Sequence, residues 1–257
     1  MTLEKLIRKL SRYCPLSLQE KWDFSGYQCG KKYKDKEIQK ILLCLDFTEE
    51  VYESIRDKNY DLILTHHPFI FGMRTEVFAD DTKKEGLFNS VNERLKTPIY
   101  SYHTCFDKAP QGMNFTLLKL LNVDRITSIA DSYLWTGEFP APLSFENLIR
   151  KIKETFNFSY LLGIKSDDKL IKKIGIVGGA GSSDFMTAYK EEVDCFISSD
   201  CPHHSRLDMR RYKMNYIEVP HEIEEKGFLI GMTSILTKID SSLEIEQFSF
   251  EKPFELW

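Results

Sequence analysis

All six histidines of this 257-residue chain follow segments that read as β-strands, and they fall in four short clusters. These are Thr65-His66-His67-Pro68, His103-Thr104-Cys105-Phe106-Asp107, Asp200-Cys201-Pro202-His203-His204 and His221-Glu222-Ile223-Glu224-Glu225. In an open α/β sheet the ligand crevice lies at the carboxyl ends of the strands, so side chains delivered there converge. Imidazoles and carboxylates brought to one place make a divalent-metal site.

Taken singly, each cluster also has an ordinary structural explanation. His66 and His67 leave a strand in different directions, and an isolated pair of this kind is commonly a surface or hydrogen-bonded feature. His103 and Asp107, like His221 and Glu225, are spaced i, i+4, which puts both side chains on one face if the segment turns helically. The acidic run Glu222 to Glu225 would equally suit the first turn of a helix. One metal site explains all of them together. Nitrogen and oxygen donors without thiolate suit Zn²⁺, Mn²⁺, Fe²⁺ or Co²⁺ rather than Ca²⁺. Three histidines and two carboxylates exceed one tetrahedral shell and suit two ions about 3.5–4 Å apart.

The elements that must carry these residues alternate. Lys40 to Leu45 is an apolar run of the kind found in strands buried on both faces, and Glu49 to Lys58 reads as a helix leading into the strand Leu62-Ile63-Leu64. Ile99 to Tyr102 is a further strand, followed by a helix at Phe115 to Leu121. A second α/β stretch comprises the strand Lys173 to Val177, the turn Gly178-Gly179-Ala180-Gly181-Ser182-Ser183, a helix from Asp184 to Glu192, and strands at Asp194 to Ile197 and Tyr216 to Val219. A helix at Glu224 to Lys238 and a strand at Leu243 to Phe250 close the chain. The turn signals Gly137, Pro140 and Pro142 place the crossing between two lobes within Trp135 to Ser144. The expected division is 1–130 with 216–257 as a first α/β lobe carrying most of the metal ligands, and 131–215 as a second. No internal repeat of short period is visible.

At 42% hydrophobic residues the chain can bury a proper core. Lys plus Arg is 35 against Asp plus Glu 39, a formal net charge of −4, so no global basic field favours nucleic acid. Neither a signal-peptide pattern nor a membrane span is present, and a cytoplasmic protein is expected. The six cysteines lack any C-x-x-C pair and read as reduced, largely core residues.

These segments resemble the NGG-one-interacting-factor-three-like family, whose bacterial members are commonly named GTP cyclohydrolase I type 2. The matching stretches are Trp22 to Gly30, Leu43 to Asp46 with Asp61 to Pro68, Tyr100 to Asp107, Gly178 to Ser183 and His221 to Glu225, in family order. The resemblance implies two α/β lobes with mixed, largely parallel sheets, a dinuclear metal site between them, and a ring-shaped homohexamer. By motif position it makes His66, His67, Asp107, His221 and Glu225 the metal ligands, with Glu225 bridging. The chain corresponds to the short form that lacks an inserted domain. It departs from the family pattern at Cys105 and Phe106, at Pro220, and at Ser198-Ser199-Asp200, while all five ligand positions are kept.

Two function classes follow. The first is a hydrolase with two divalent ions (Zn, Fe, Mn or Co) acting on a small molecule such as a nucleotide or related phosphorylated heterocycle. In it His103 would be a proton shuttle or would orient a ligand, His204 with Asp200 would form a more distant pair, and the N–H groups and hydroxyls of Gly179, Gly181, Ser182 and Ser183 would cradle a substrate phosphate. For that turn the alternative is a tight strand-to-helix connection with no ligand. The second class is a non-catalytic metal-binding protein, a metallochaperone or interaction scaffold.

Overall fold

Short apolar runs become strands here because both of their faces are covered. The computed structural model describes residues 1–248 and divides the chain into two units, Met1–Gly112 together with the chain from Phe228 on, and Met113–Gly227.

In the first unit, helix α1 (Leu3–Leu10) buries Leu3, Leu6 and Leu10 along one stripe, and the Thr2 side chain accepts from Lys5 N at its N-cap. Strand β1 (Gly26–Cys29) follows, then β2 (Lys40–Cys44), α2 (Glu49–Ile55), β3 (Leu62–Thr65), α3 (Arg74–Asp80), α4 (Thr82–Ser90), β4 (Ile99–Ser101) and the single turn α5 (Thr104–Asp107). Strands β2, β3 and β4 pair in parallel, and β1 runs antiparallel along β4. Every residue of β3 is buried, as the continuous apolar reading requires of a central parallel strand.

The second unit opens with α6 (Met113–Leu120) and the antiparallel pair β5 (Asp124–Ser128) and β6 (Trp135–Leu143). It continues through α7 (Phe145–Phe156), β7 (Leu162–Ile164), β8 (Ile171–Ile176), α8 (Phe185–Lys190), β9 (Cys195–Ser198), α9 (His203–Arg211), β10 (Asn215–Glu218) and the turn α10 (His221–Glu224). Helix α11 (Lys226–Ile239) then leads back to the first unit, where β11 (Glu244–Gln247) adds in parallel to β2. The sheet orders are β1-β4-β3-β2-β11 and β5-β6-β8-β9-β10-β7, both mixed. The last two residues of the strand expected at Leu243 to Phe250 lie outside the described residues.

Two sequence expectations change. Trp135 to Ser144 is not a crossing between lobes, because most of it is the long strand β6. Pro140 and Pro142 sit where its ladder to β8 is interrupted between Glu138 and Leu143, a place where a missing N–H costs nothing. The division between units falls at Gly112 and Gly227 rather than at 130 and 216. β10 hydrogen-bonds to β9 and β7, so His221 and Glu225 belong to the second unit.

The two units repeat one topology. In each, a helix (α1, α7) precedes an antiparallel edge strand (β1, β7) that pairs with the last of three parallel strands (β2-β3-β4, β8-β9-β10). An aspartate stands just before the middle strand in both. Asp61 Oδ2 accepts from Gln39 N and Lys40 N, and Asp194 Oδ2 accepts from Lys172 N and Lys173 N. After the last strand comes one helical turn, beginning at His103 in one unit and His221 in the other. Asp107 N donates to His103 O and Glu225 N to His221 O, so both i, i+4 pairs stand on real helical turns. The repeat carries a histidine and a carboxylate to the same sheet edge twice.

Candidate metal centre

In the first unit the carboxyl ends of β3 and β4 deliver His66, His67 and His103, whose ligand-type atoms lie within 4.8 Å of one another. His66 is fully buried, packed on the Phe228 ring at 5.2 Å, and its Nε2 stands 3.7 Å from Asp107 Oδ1. That separation exceeds a hydrogen bond. It is close to the spacing of two ligands on one ion with bonds of about 2.0–2.2 Å.

Each of these imidazoles is held by Nδ1. His66 Nδ1 faces Tyr102 O at 3.0 Å, His67 Nδ1 faces Asp46 Oδ1 at 3.0 Å, and His103 Nδ1 faces Asp23 Oδ1 at 3.0 Å. In the second unit His221 Nδ1 faces Asp200 Oδ2 at 2.6 Å, while its Nε2 meets Glu225 Oε1 at 2.8 Å. His221 thus meets a carboxylate at each of its two nitrogens, and all four rings direct Nδ1 at an oxygen acceptor. This is the arrangement that fixes tautomer and orientation in metal-ligating histidines.

The charges agree. Burial alone would raise Asp23, but hydrogen bonds from His103, Thr104 and Ser25 hold its carboxyl well below the usual carboxylate range. Burial would lower His221, yet Glu225 and Asp200 push it up to about 9, the mark of an imidazole surrounded by anions. Glu224, fully buried, is driven well above the carboxylate range by burial, and its neighbours Glu225 and Asp200 add to this. Its Oε2 accepts from Gly179 N, whereas Oε1 has no hydrogen-bond partner among the described residues.

The glycine turn serves this acidic pair. Gly178 N donates to Asn114 Oδ1, Gly179 N to Glu224 Oε2, and Gly181 N to Gly179 O and Ser198 Oγ. Of the N–H groups expected to cradle a phosphate, those of Gly179 and Gly181 are thus directed at protein acceptors. Ser182 is buried and Ser183 exposed. Gly179 has φ +74°, and a Cβ there would stand 2.6 Å from Glu225 Oε1, so glycine both permits the backbone conformation and leaves room for the carboxylate.

The structure separates the histidine clusters that the sequence groups together. His66, His67, His103 and His221 carry the anchored-ring arrangement. His203 and His204 lie exposed on α9, and Asp200, expected beside His204, holds His221 instead. Sequence reasoning missed the acceptors Asp23, Asp46 and the Tyr102 carbonyl, and it missed buried Glu224. Asp46 and Asp200 each follow a parallel strand at its carboxyl end, a signal that could have found them.

A cleft of about 240 Å³ opens beside His67, lined among others by Asp46, Phe47, Phe69, Lys83 and Lys84. A larger one, about 470 Å³, is lined by Tyr189, Asp194, Tyr212 and Asn215. Asp194 and Asn215 mark the amino ends of β9 and β10, so within the second unit this cleft lies at the opposite sheet edge from Asp200 and His221.

Comparison with known proteins agrees with this architecture. A GTP cyclohydrolase 1 type 2 homolog of Clostridium perfringens is 29% identical over 264 aligned positions, covering 99% of both chains. A GTP cyclohydrolase 1 type 2 of Helicobacter pylori strain J99 is 27% identical over 255, covering 99% of this chain and 98% of its own. The crystal structure of Staphylococcus aureus protein SA1388 superposes with a TM-score of 0.88 at 22% identity, covering 100% of this chain and 99% of that one, which shows a common fold. The sequence profile of the Duf34/NIF3 (NGG1p interacting factor 3) family matches residues 1–253, and the chain belongs to that family.

Proposed function

We propose that this protein is a divalent-metal-dependent hydrolase that holds two ions, with His66, His67, Asp107, His221 and Glu225 as ligands, and acts on a nucleotide or related phosphorylated heterocycle. The observation that carries the reading is the set of four imidazoles whose Nδ1 atoms are tied to Tyr102 O, Asp46, Asp23 and Asp200. A purely structural histidine has no need of this repeated anchoring through Nδ1. Oxygen and nitrogen donors without thiolate fit Zn, Fe, Mn or Co.

A divalent ion bound there supplies Lewis acidity. The chain's own residues do the rest. Asp46 and Asp200 orient His67 and His221 and compensate part of the charge they face. His103, with Asp23 behind it, is suited to take up and release a proton at Nε2, as a positioned general acid or base does. The cleft beside His67, with Lys83 and Lys84 on its rim, offers room for part of a phosphorylated substrate. The names of the relatives support GTP as the first substrate to test, and the family resemblance supports a homohexamer.

The test loads chelated, purified protein with Mn²⁺, Zn²⁺ or Fe²⁺, counts bound metal by elemental analysis, and screens GTP, other nucleotides and generic phosphoesters. Formate release marks ring opening of GTP, and inorganic phosphate marks phosphoester hydrolysis. Two ions per chain with turnover support the proposal. Two ions with no turnover on any substrate would favour metal storage or delivery, and one ion or none would defeat the dinuclear reading.

A further inference from the structure

Three large aromatic side chains around His103 keep much of their surface in solvent. Trp22 is 55% exposed, Phe71 49% and Phe24 39%. They form one group, with ring centroids 6.1 Å apart for Trp22 and Phe71 and 5.5 Å for Phe24 and Phe71. Both Trp22 and Phe71 also touch the His103 ring, at 6.0 and 6.2 Å. A contiguous apolar patch of this kind next to polar donors marks a surface that something else covers.

The patch is held in place. Asp23, between Trp22 and Phe24, is buried, and its carboxylate accepts from Phe24 N, Ser25 Oγ, Thr104 N, Thr104 Oγ1 and the His103 ring. With Asp23 fixed inward, its two neighbours are carried outward in defined positions. The same carboxylate orients His103, so the aromatic group and the imidazole are set by one anchor. The indole is tilted 46° to Phe71 and 73° to His103, so neither neighbour stacks parallel on it. At 55% exposure, a π-face remains for a flat partner.

We infer that Trp22 and Phe71 form a stacking wall for the planar heterocycle of the substrate, a nucleobase, beside His103. This rests on the metal-dependent reading of the neighbouring donors and adds the substrate's ring to it. An aromatic wall suits a nucleobase because every base has a π-face, and stacking holds the ring without choosing among hydrogen-bond patterns. It also makes a fixed ring edge available to His103, the candidate proton carrier.

Equilibrium dialysis with GTP, guanosine and inorganic triphosphate tests the inference on full-length protein with and without Zn²⁺. Trp22→Ala should weaken guanosine and GTP roughly tenfold to a hundredfold, the usual range for losing one base–aromatic stack. Trp22→Phe should recover most of that affinity, and triphosphate binding should not change in either variant. Phe71→Ala, at a second exposed position, should weaken guanosine in the same direction. Unchanged guanosine affinity in Trp22→Ala and Phe71→Ala would overturn the inference. So would a drop in solution mass for Trp22→Ala without a change in guanosine binding, which would make the patch a contact between copies of this chain. Metal content separates the two ideas. Two bound ions with no guanosine binding would remove the wall alone, and guanosine binding that depends on Trp22 in a protein that holds no metal would remove the metal reading alone.

Discussion

Asp23 Oδ1 lies 3.0 Å from His103 Nδ1, and the two residues are 80 positions apart in the sequence. The other carboxylate oxygen takes Thr104 Oγ1 at 2.5 Å and Ser25 Oγ at 2.8 Å, while Ser25 Oγ accepts from His103 N at 3.0 Å. One buried carboxylate thus joins the loop before β1 to the turn after β4. Asp23→Ala should destabilise the protein by about 2–3 kcal/mol, since it leaves buried donors without a charged acceptor. Urea unfolding of the metal-free protein checks this, and a change below about 0.5 kcal/mol would show that water replaces the carboxylate.

His103→Ala should separate proton transfer from metal binding. With His103 as acid or base, the variant keeps two ions and its fold, and any hydrolytic rate falls by roughly 10²–10⁴. His67→Ala should instead lose metal directly. Both must be compared at saturating metal. His66, His67 and His103 lie close enough for one ion, so loss of an ion from His103→Ala would move this residue into the ligand set.

Gly179→Ala puts a Cβ 2.6 Å from Glu225 Oε1 in a residue with φ +74°. The left-handed conformation alone costs an L-residue about 1–2 kcal/mol. Displacement of Glu225 should additionally lower metal occupancy below two ions per chain. Thermal unfolding of the chelated protein reads the first effect and elemental analysis of the loaded protein the second; full occupancy in this variant would show that Glu225 is not a ligand.

Asp61 gives a pH signature to the first unit. Burial would raise its pKa, but the N–H groups of Lys40 and Gln39 and the Lys36 ammonium hold it below its usual value of 3.8. A carboxyl depressed in the folded state contributes stability that is fully present above its unfolded pKa and is lost as pH falls through the folded one. Unfolding free energy should therefore fall below about pH 4 more steeply in the parent than in Asp61→Ala. Asp61→Ala should itself cost about 1–2 kcal/mol at pH 7. Parallel acid profiles for the two proteins would rule out this role.

The i, i+4 pairs His103/Asp107 and His221/Glu225 were legible in the sequence, because a helical turn fixes that geometry locally whatever surrounds it. So were the central strands, since a run such as Ile41 to Cys44 has no polar face to show solvent. The partition into units was not legible. β6 looks like a linker by composition, and only its pairing with β5 and β8 makes it a strand. Strand partnership also assigns β10, and with it His221, to the second unit. The Nδ1 acceptors are decided the same way: Asp23 reaches His103 across 80 residues and Asp46 reaches His67 across 21, contacts that exist only once β1, β2, β3 and β4 lie side by side. The sequence by itself determined which residues could donate to a metal and that they follow strands, because side-chain chemistry and backbone periodicity are local. Tertiary structure alone decided which imidazoles are anchored through Nδ1, which glycine N–H groups are already bonded, and which aromatics stay exposed, because each depends on groups that the folded sheet brings together.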